Sequence, residues 1–286
     1  MAVEPTLAFD IETVPDVDGA RRLYPLDGVD AAAAEAALLA RQRAEKGNEF
    51  LPPHLQRVAA IACCLRAGDE LRVWSLGDPA AAEAELIQRF FDGIEKYRPV
   101  LVSWNGSGFD LPVMHYRALI HGIAAPRYWD TGHFERESKW DSYIGRYQFR
   151  HIDLMDVLAL YQARNYVRLD ELARLCGLPG KLGMDGSQVA DAVRAGRLAA
   201  VRAYCETDAL NTYLLFLRFQ RLRGLLDADA WLAEEARVRA FVAAGGAPHW
   251  VEFARAWGEG PCFATTGRDG PERPARDGRA GPSENR

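Results

Sequence analysis

The sequence predicts an α/β fold, a mixed β-sheet covered by helices. Three observations predict it: strand-length apolar runs fill the first part of the chain, helical periodicity dominates from residue 169 onward, and two helical stretches are interleaved among the strands. At 286 residues, 49% hydrophobic and 26% charged, the composition is that of a globular protein with one large domain, or one domain and an extension.

Residues 7–11, LAFDI, read as a buried strand that ends near Thr13 and Pro15, with no room for a preceding domain. Residues 30–46 start at an Asp30 cap, hold helix formers throughout and stop before Gly47, so a helical insertion is expected over about 14–56. Two strands, 57–66 and 71–76, join at Gly68 and Asp69 as a hairpin. Asp78 and Pro79 form a cap-and-first-turn signature for a helix through Leu86, Ile87, Phe90, Phe91 and Ile94. A strand at 99–104, a glycine-containing turn and a helix at 111–121 follow. Helices are then expected at 169–176, at 188–195 with Ser187 as cap, at 198–222 and at 227–243. Residues 1–262 are expected to form one domain, and 263–286, rich in Gly, Pro and Arg, a disordered tail.

Composition narrows the function. A net charge of −5, from 35 basic and 40 acidic residues, excludes a chain-wide basic field, so contacts with nucleic acid must be local. The five cysteines form no CxxC pair, which argues against a zinc ribbon or a disulfide framework. No membrane span or leader is evident, and a cytoplasmic location is expected. A dinucleotide fingerprint, a phosphate loop, an HExxH helix and a serine-hydrolase elbow are all absent.

Four acids stand out. Asp10 and Glu12 lie two apart on the first strand, so they share one face. Two such acids in an apolar strand fit a divalent cation with oxygen ligands, and they also fit a solvated face. Asp110 follows a strand and a glycine turn, where functional groups and helix caps both occur. Tyr204 and Asp208 sit one helical turn apart on one face, an arrangement equally open to a surface pair.

Together these residues resemble a family. D-I-E at 10–12, N-x-x-x-F-D at 105–110 and Y-x-x-x-D at 204–208, in that order, resemble the three motifs of DEDDy proofreading nucleases, above all predicted prokaryotic 3′-5′ exonucleases related to the exonuclease domain of family B DNA polymerases. The likeness runs over roughly residues 7–220 and includes the loop LPGKLGMDGSQV. It implies a ribonuclease-H-like sheet and two-metal hydrolysis of phosphodiesters with Mg²⁺ or Mn²⁺. In that scheme Asp10, Glu12 and Asp208 hold one cation, Asp10 and Asp110 hold the second, and Tyr204 orients the attacking water. The histidine branch of the superfamily would need a histidine at 203, where alanine stands. The resemblance also puts Thr13, Asn105 and Phe109 near the terminal nucleotides, beside their plainer turn and core roles.

The expected substrate is the 3′ end of single-stranded DNA, in repair or end trimming, since no polymerase follows the motifs. RNA is an alternative, as is an inactive fold that only binds nucleic acid. Seven aromatics between Tyr128 and Phe149, interleaved with Arg136, Lys139, Arg146 and Arg150, fit base stacking or core packing. Asp156 is expected as a helix cap, and Lys181 as an exposed loop residue.

Overall fold

The computed structural model describes residues 4–26 and 28–258. In chain order the elements begin with β1 (Thr6–Pro15), α1 (Val17–Leu23), α2 (Ala31–Lys46), β2 (Gln56–Ala67) and β3 (Glu70–Ser75). Next come α3 (Glu83–Tyr97), β4 (Val100–Ser103), α4 (Asp110–His121), α5 (Pro126–Trp129), β5 (His151–Asp153) and α6 (Leu154–Leu158). The remainder is helical: α7 (Leu169–Leu175), α8 (Val189–Arg194), α9 (Leu198–Leu222), α10 (Ala228–Ala244) and α11 (Pro248–Trp257). The sheet order is β3-β2-β1-β4-β5, with β2 antiparallel to both neighbours and β1, β4 and β5 parallel. This is the ribonuclease-H-like mixed sheet that the resemblance implies.

Strand alternation sorts β1 into two cores. Ala8 and Val14 face α9, whose middle is buried almost all round, while Leu7, Phe9 and Ile11 face α3 and α4. On α3 the residues Leu86, Ile87, Phe90, Phe91 and Ile94 are all buried, each worth roughly 1.5–3 kcal/mol of burial. Between β1 and β2, α1 and α2 close over a small core of Ala20, Leu38, Leu51 and Leu55. Buried Arg117 of α4 clamps this region, pairing with Asp16, the cap of α1, and with Glu83 at the start of α3.

Several local expectations hold. Asp30 caps α2, and Gly47 ends it in the left-handed region at φ 76°. Others are corrected. Helix α3 begins at Glu83, because the Asp78 carboxylate accepts from the Ala80 amide and closes a separate turn. Asp185 caps the 3-10 turn Gly186–Gln188 that leads into α8, accepting from the Ser187 amide, so Ser187 is capped rather than capping. Asp153, not Asp156, caps α6, accepting from the Met155 and Asp156 amides. Helices α1, α5 and α11 have no counterpart in the sequence reading, and α10 ends one residue beyond the expected 243. The 263–286 segment read as a tail lies outside the described residues.

Candidate active site

The site is built where β1 outruns its neighbour. Strand β4 pairs with β1 only from Thr6 to Ala8, so beyond Ala8 that edge of β1 is open. The Ile11 amide there donates to Asp110 Oδ1 at 3.2 Å. Asp110 is the first residue of α4, and its buried side chain reaches across the end of β4 to β1. Asp10 and Glu12 point to the α9 face, where a ligand atom from each and Cys205 Sγ lie within 4.8 Å of one another. The Cys205 thiol itself donates to the Asp10 carbonyl at 3.2 Å, which draws α9 onto β1.

From α9, Tyr204 and Asp208 project into the same place, with Asp208 only 1% exposed. They meet Lys181, whose Nζ lies 2.9 Å from Asp208 Oδ2, donates to the Tyr204 hydroxyl and stands 4.8 Å from its ring centre. The glycine loop before α8 brings it there. Gly180 is left-handed at φ 69°, and a Cβ on it would come within 2.5 Å of Asp170 Oδ1. That oxygen accepts from the Lys181 amide at 2.8 Å, and Asn211 of α9 donates to the Gly180 carbonyl at 2.8 Å. Lys181 is therefore half-buried and held at two points, not a free loop side chain.

Among the described residues, four carboxyl groups thus face one contacting ammonium. Burial first, then the charges of Asp208 and Asp110, pushes Asp10 well above the carboxylate range. Burial does the same to Glu12, helped by Asp10, and lifts Asp110 to about 7. Asp208 is raised by burial against the opposing pull of Lys181. For Lys181 the neighbouring Asp208 and Tyr204 outweigh burial and raise its pKa. Asp10 Oδ2 and Asp208 Oδ1 are buried with no hydrogen-bond partner. Buried, mutually repelling oxygen donors, two of them orphaned, fit a hard divalent cation, which would supply the missing charge and ligation.

A cleft of about 580 Å³ opens over these groups and is lined by all five motif side chains together with Asn105 and Phe109. Asn105 adopts a left-handed φ of 63°, and a Cβ on Gly108 would strike its Oδ1 at 2.5 Å, which accounts for the glycine. Asp153 anchors this turn by accepting from the Asn105 and Ser107 amides at 2.9 and 2.8 Å. Phe109 lies 5.3 Å from Phe50 of the segment before β2. Thr13 is different: its hydroxyl donates to Gln56 Oε1 at 2.9 Å, and it is not among the residues lining the cleft.

Residues 48–257 match the profile of a family described as predicted 3′-5′ exonucleases related to the exonuclease domain of PolB. The chain belongs to this family. The match begins after the D-I-E motif, which the fold brings back to the matched part through β1. The chain is also similar to the catalytic polypeptide of DNA polymerase epsilon from Saccharomyces cerevisiae, at 25% identity over 142 residues. The corresponding polypeptides of Emericella nidulans and Aspergillus fumigatus each match at 28% identity over 142 residues. These stretches cover 48% of this chain, which spans about 6% of the length of the polymerase polypeptides. Exonucleases of this family act on nucleic acid with divalent metals. Among the described residues no helix is long and apolar enough to cross a membrane.

Sequence reasoning missed Lys181, Asp170, Asn211 and Asp153 as parts of the site. A lysine in a glycine loop just before a helix is a weak local signal. Asn211 carries none, because its partner lies 31 residues away; Asp153 stands out beside Asp156 as an acid pair, but its partners, 46 to 48 residues away, are not legible locally.

Proposed function

We propose that this protein is a two-metal 3′-5′ exonuclease that removes nucleotides from the 3′ end of single-stranded DNA, in DNA repair or end trimming. The observation that carries the reading is the convergence of Asp10, Glu12, Asp110 and Asp208, with two orphaned carboxylate oxygens, in one open cleft. Asp10, Glu12 and Asp208 would hold one cation, and Asp10 with Asp110 a second. Mg²⁺ and Mn²⁺ suit such an oxygen set. When bound, the two cations activate the attacking water and stabilise the departing 3′ oxyanion.

The chain's own residues orient the reaction. The attacking water gives up a proton to solvent as its oxygen adds to phosphorus, the P–O3′ bond breaks, and the freed 3′ oxygen takes up a proton from solvent. Tyr204, held by Lys181, orients that water through its hydroxyl. Burial raises the Tyr204 pKa above its ordinary value, so it positions and does not act as a base. Lys181 keeps the Tyr204 hydroxyl fixed and offsets charge on Asp208. Asn105 and Phe109, on the same cleft, are assigned to the terminal nucleotides. Thr13, with its hydroxyl taken by Gln56, is assigned a supporting place at the end of β1.

The test is digestion of 5′-labelled single-stranded DNA with Mg²⁺, Mn²⁺ or EDTA, beside the Asp10→Ala, Glu12→Ala double variant. A metal-dependent ladder shortening from the 3′ end, lost by roughly 10²–10³-fold in the variant, is expected. Cleavage of a matching RNA alone would transfer the same chemistry to RNA. No cleavage of either would leave a fold that only binds nucleic acid.

A further inference from the structure

A second cleft, about 600 Å³, adjoins the carboxylate cleft, and Asn105 and Tyr166 line both. That volume lies within the roughly 300–1,000 Å³ typical of small-molecule sites. Four tyrosines and a tryptophan are among its lining residues. Of the seven aromatics at 128–149, Tyr128 and Tyr143 are buried and stacked 5.7 Å apart beneath the cleft, so they are core. Trp129 stays half exposed on its wall, 4.7 Å from the His115 ring. Tyr161 lines the same cleft, with the Arg146 guanidinium 5.2 Å from its ring centre.

The backbone is strained at this lip. Leu160 and Tyr161 are consecutive non-glycine residues in the left-handed region, at φ 52° and 59°. Such strain persists where the surrounding fold holds a side chain in a required place. Here the Tyr161 ring lies 5.1 Å from that of Tyr147 and its hydroxyl donates to the Arg146 carbonyl at 3.2 Å, which fixes the ring in the cleft lining.

Among the described residues lining this cleft, Arg146 is the one permanently cationic side chain. Asp153 is engaged by backbone amides, and Asp156 accepts from the Tyr166 hydroxyl. His115 and His151 are held neutral by burial, both near pKa 4. Arg146 supplies positive charge from the lip. The interior is therefore built of rings and hydrogen-bond acceptors, which suits nucleobases, with the sugar-phosphate backbone left outside.

We propose that this aromatic cleft seats the unstacked nucleobases on the 5′ side of the scissile bond, so that a strand with its 3′ end at the carboxylates runs past Asn105 and Tyr166 into it. The inference rests on the exonuclease reading and adds the path of the strand. Stacking on Trp129 and Tyr161 contributes about 1–3 kcal/mol per base, or roughly 5–150-fold in affinity.

Binding of short single-stranded DNA in EDTA is measured by fluorescence anisotropy, with one abasic residue moved stepwise from the 3′ end. Wild type, Trp129→Ala, Tyr161→Ala and, as a control, Phe134→Ala, an exposed aromatic outside the cleft, are compared. Hydrolysis of the p-nitrophenyl ester of thymidine 5′-monophosphate, which needs only the carboxylate site, reports folding and chemistry separately. The expected result is a wild-type abasic penalty of at least about 5-fold at one or two internal positions. That penalty disappears in Trp129→Ala and Tyr161→Ala, persists in Phe134→Ala, and ester hydrolysis stays unchanged throughout. Equal abasic profiles in all four proteins would overturn the cleft assignment while leaving the exonuclease reading intact. A wild type that hydrolyses neither ester nor DNA would overturn both.

Discussion

Lys181 Nζ lies 2.9 Å from Asp208 Oδ2, so a cation that touches the carboxylate cluster comes from a loop and not from β1, α4 or α9, which supply the motif carboxylates. The ammonium stands where positive charge is most needed, and it also donates to Tyr204. Lys181→Met should therefore have two opposite effects. Turnover falls roughly 10-fold, about 1.4 kcal/mol, as Tyr204 loses its donor. Mn²⁺ binds more tightly, as no ammonium competes for Asp208. Steady-state kinetics and calorimetric Mn²⁺ titration read the two separately, and unchanged values in both would remove Lys181 from the site.

Tyr204→Phe deletes one hydroxyl and keeps the ring against Lys181. If the hydroxyl orients water, kcat drops by roughly 10–100-fold, whereas affinity for single-stranded DNA, measured in EDTA, changes little. A loss of affinity equal to the loss of kcat would mean that Tyr204 holds substrate and not water.

Arg117 is 4% exposed and pairs with both Asp16 and Glu83, joining α1, α3 and α4. Truncation takes the guanidinium from two buried carboxylates, Asp16 and Glu83, and leaves Glu83 the His121 imidazole. Arg117→Ala should lower stability by about 3–5 kcal/mol in urea unfolding. A smaller loss, under about 1 kcal/mol, would equate this clamp with a surface pair.

His115 and His151 are depressed by burial from about 6.5 to about 4. Because their neutral forms are favoured in the fold, the stability they contribute is complete above about pH 6.5 and is lost as pH falls through about 4. Asp110, raised to about 7, works in the opposite sense in metal-free protein: it takes up its proton in the fold, so its contribution grows as pH falls from about 7. Comparing wild type with a His115→Gln, His151→Gln variant isolates the histidines, since Asp110 is common to both. Urea midpoints in EDTA should fall more steeply between pH 6.5 and 4 in wild type. Parallel curves would show that these histidines do not control the acid limb.

Local periodicity and chain order carried much of the site. The i, i+2 spacing of Asp10 and Glu12 puts both on one face of β1, and the i, i+4 spacing of Tyr204 and Asp208 puts both on one face of α9, whatever surrounds them. The caps of α2 at Asp30 and Gly47 were legible for the same reason: each acts within four residues of itself. The family resemblance rested on these short patterns in their order, and the sheet is of the implied type.

Tertiary structure alone decided which face of β1 meets α9, that Asp110 bonds the open edge of β1 beyond β4, and that Lys181 neutralises Asp208. It alone separated Tyr128 and Tyr143, buried at the floor of a cleft, from Trp129, half exposed on its wall. The physical reason is range. Side-chain direction along a strand or helix follows from backbone geometry over a few residues, whereas a hydrogen bond across 99 residues, such as that from Ile11 to Asp110, exists only after packing has brought its ends together.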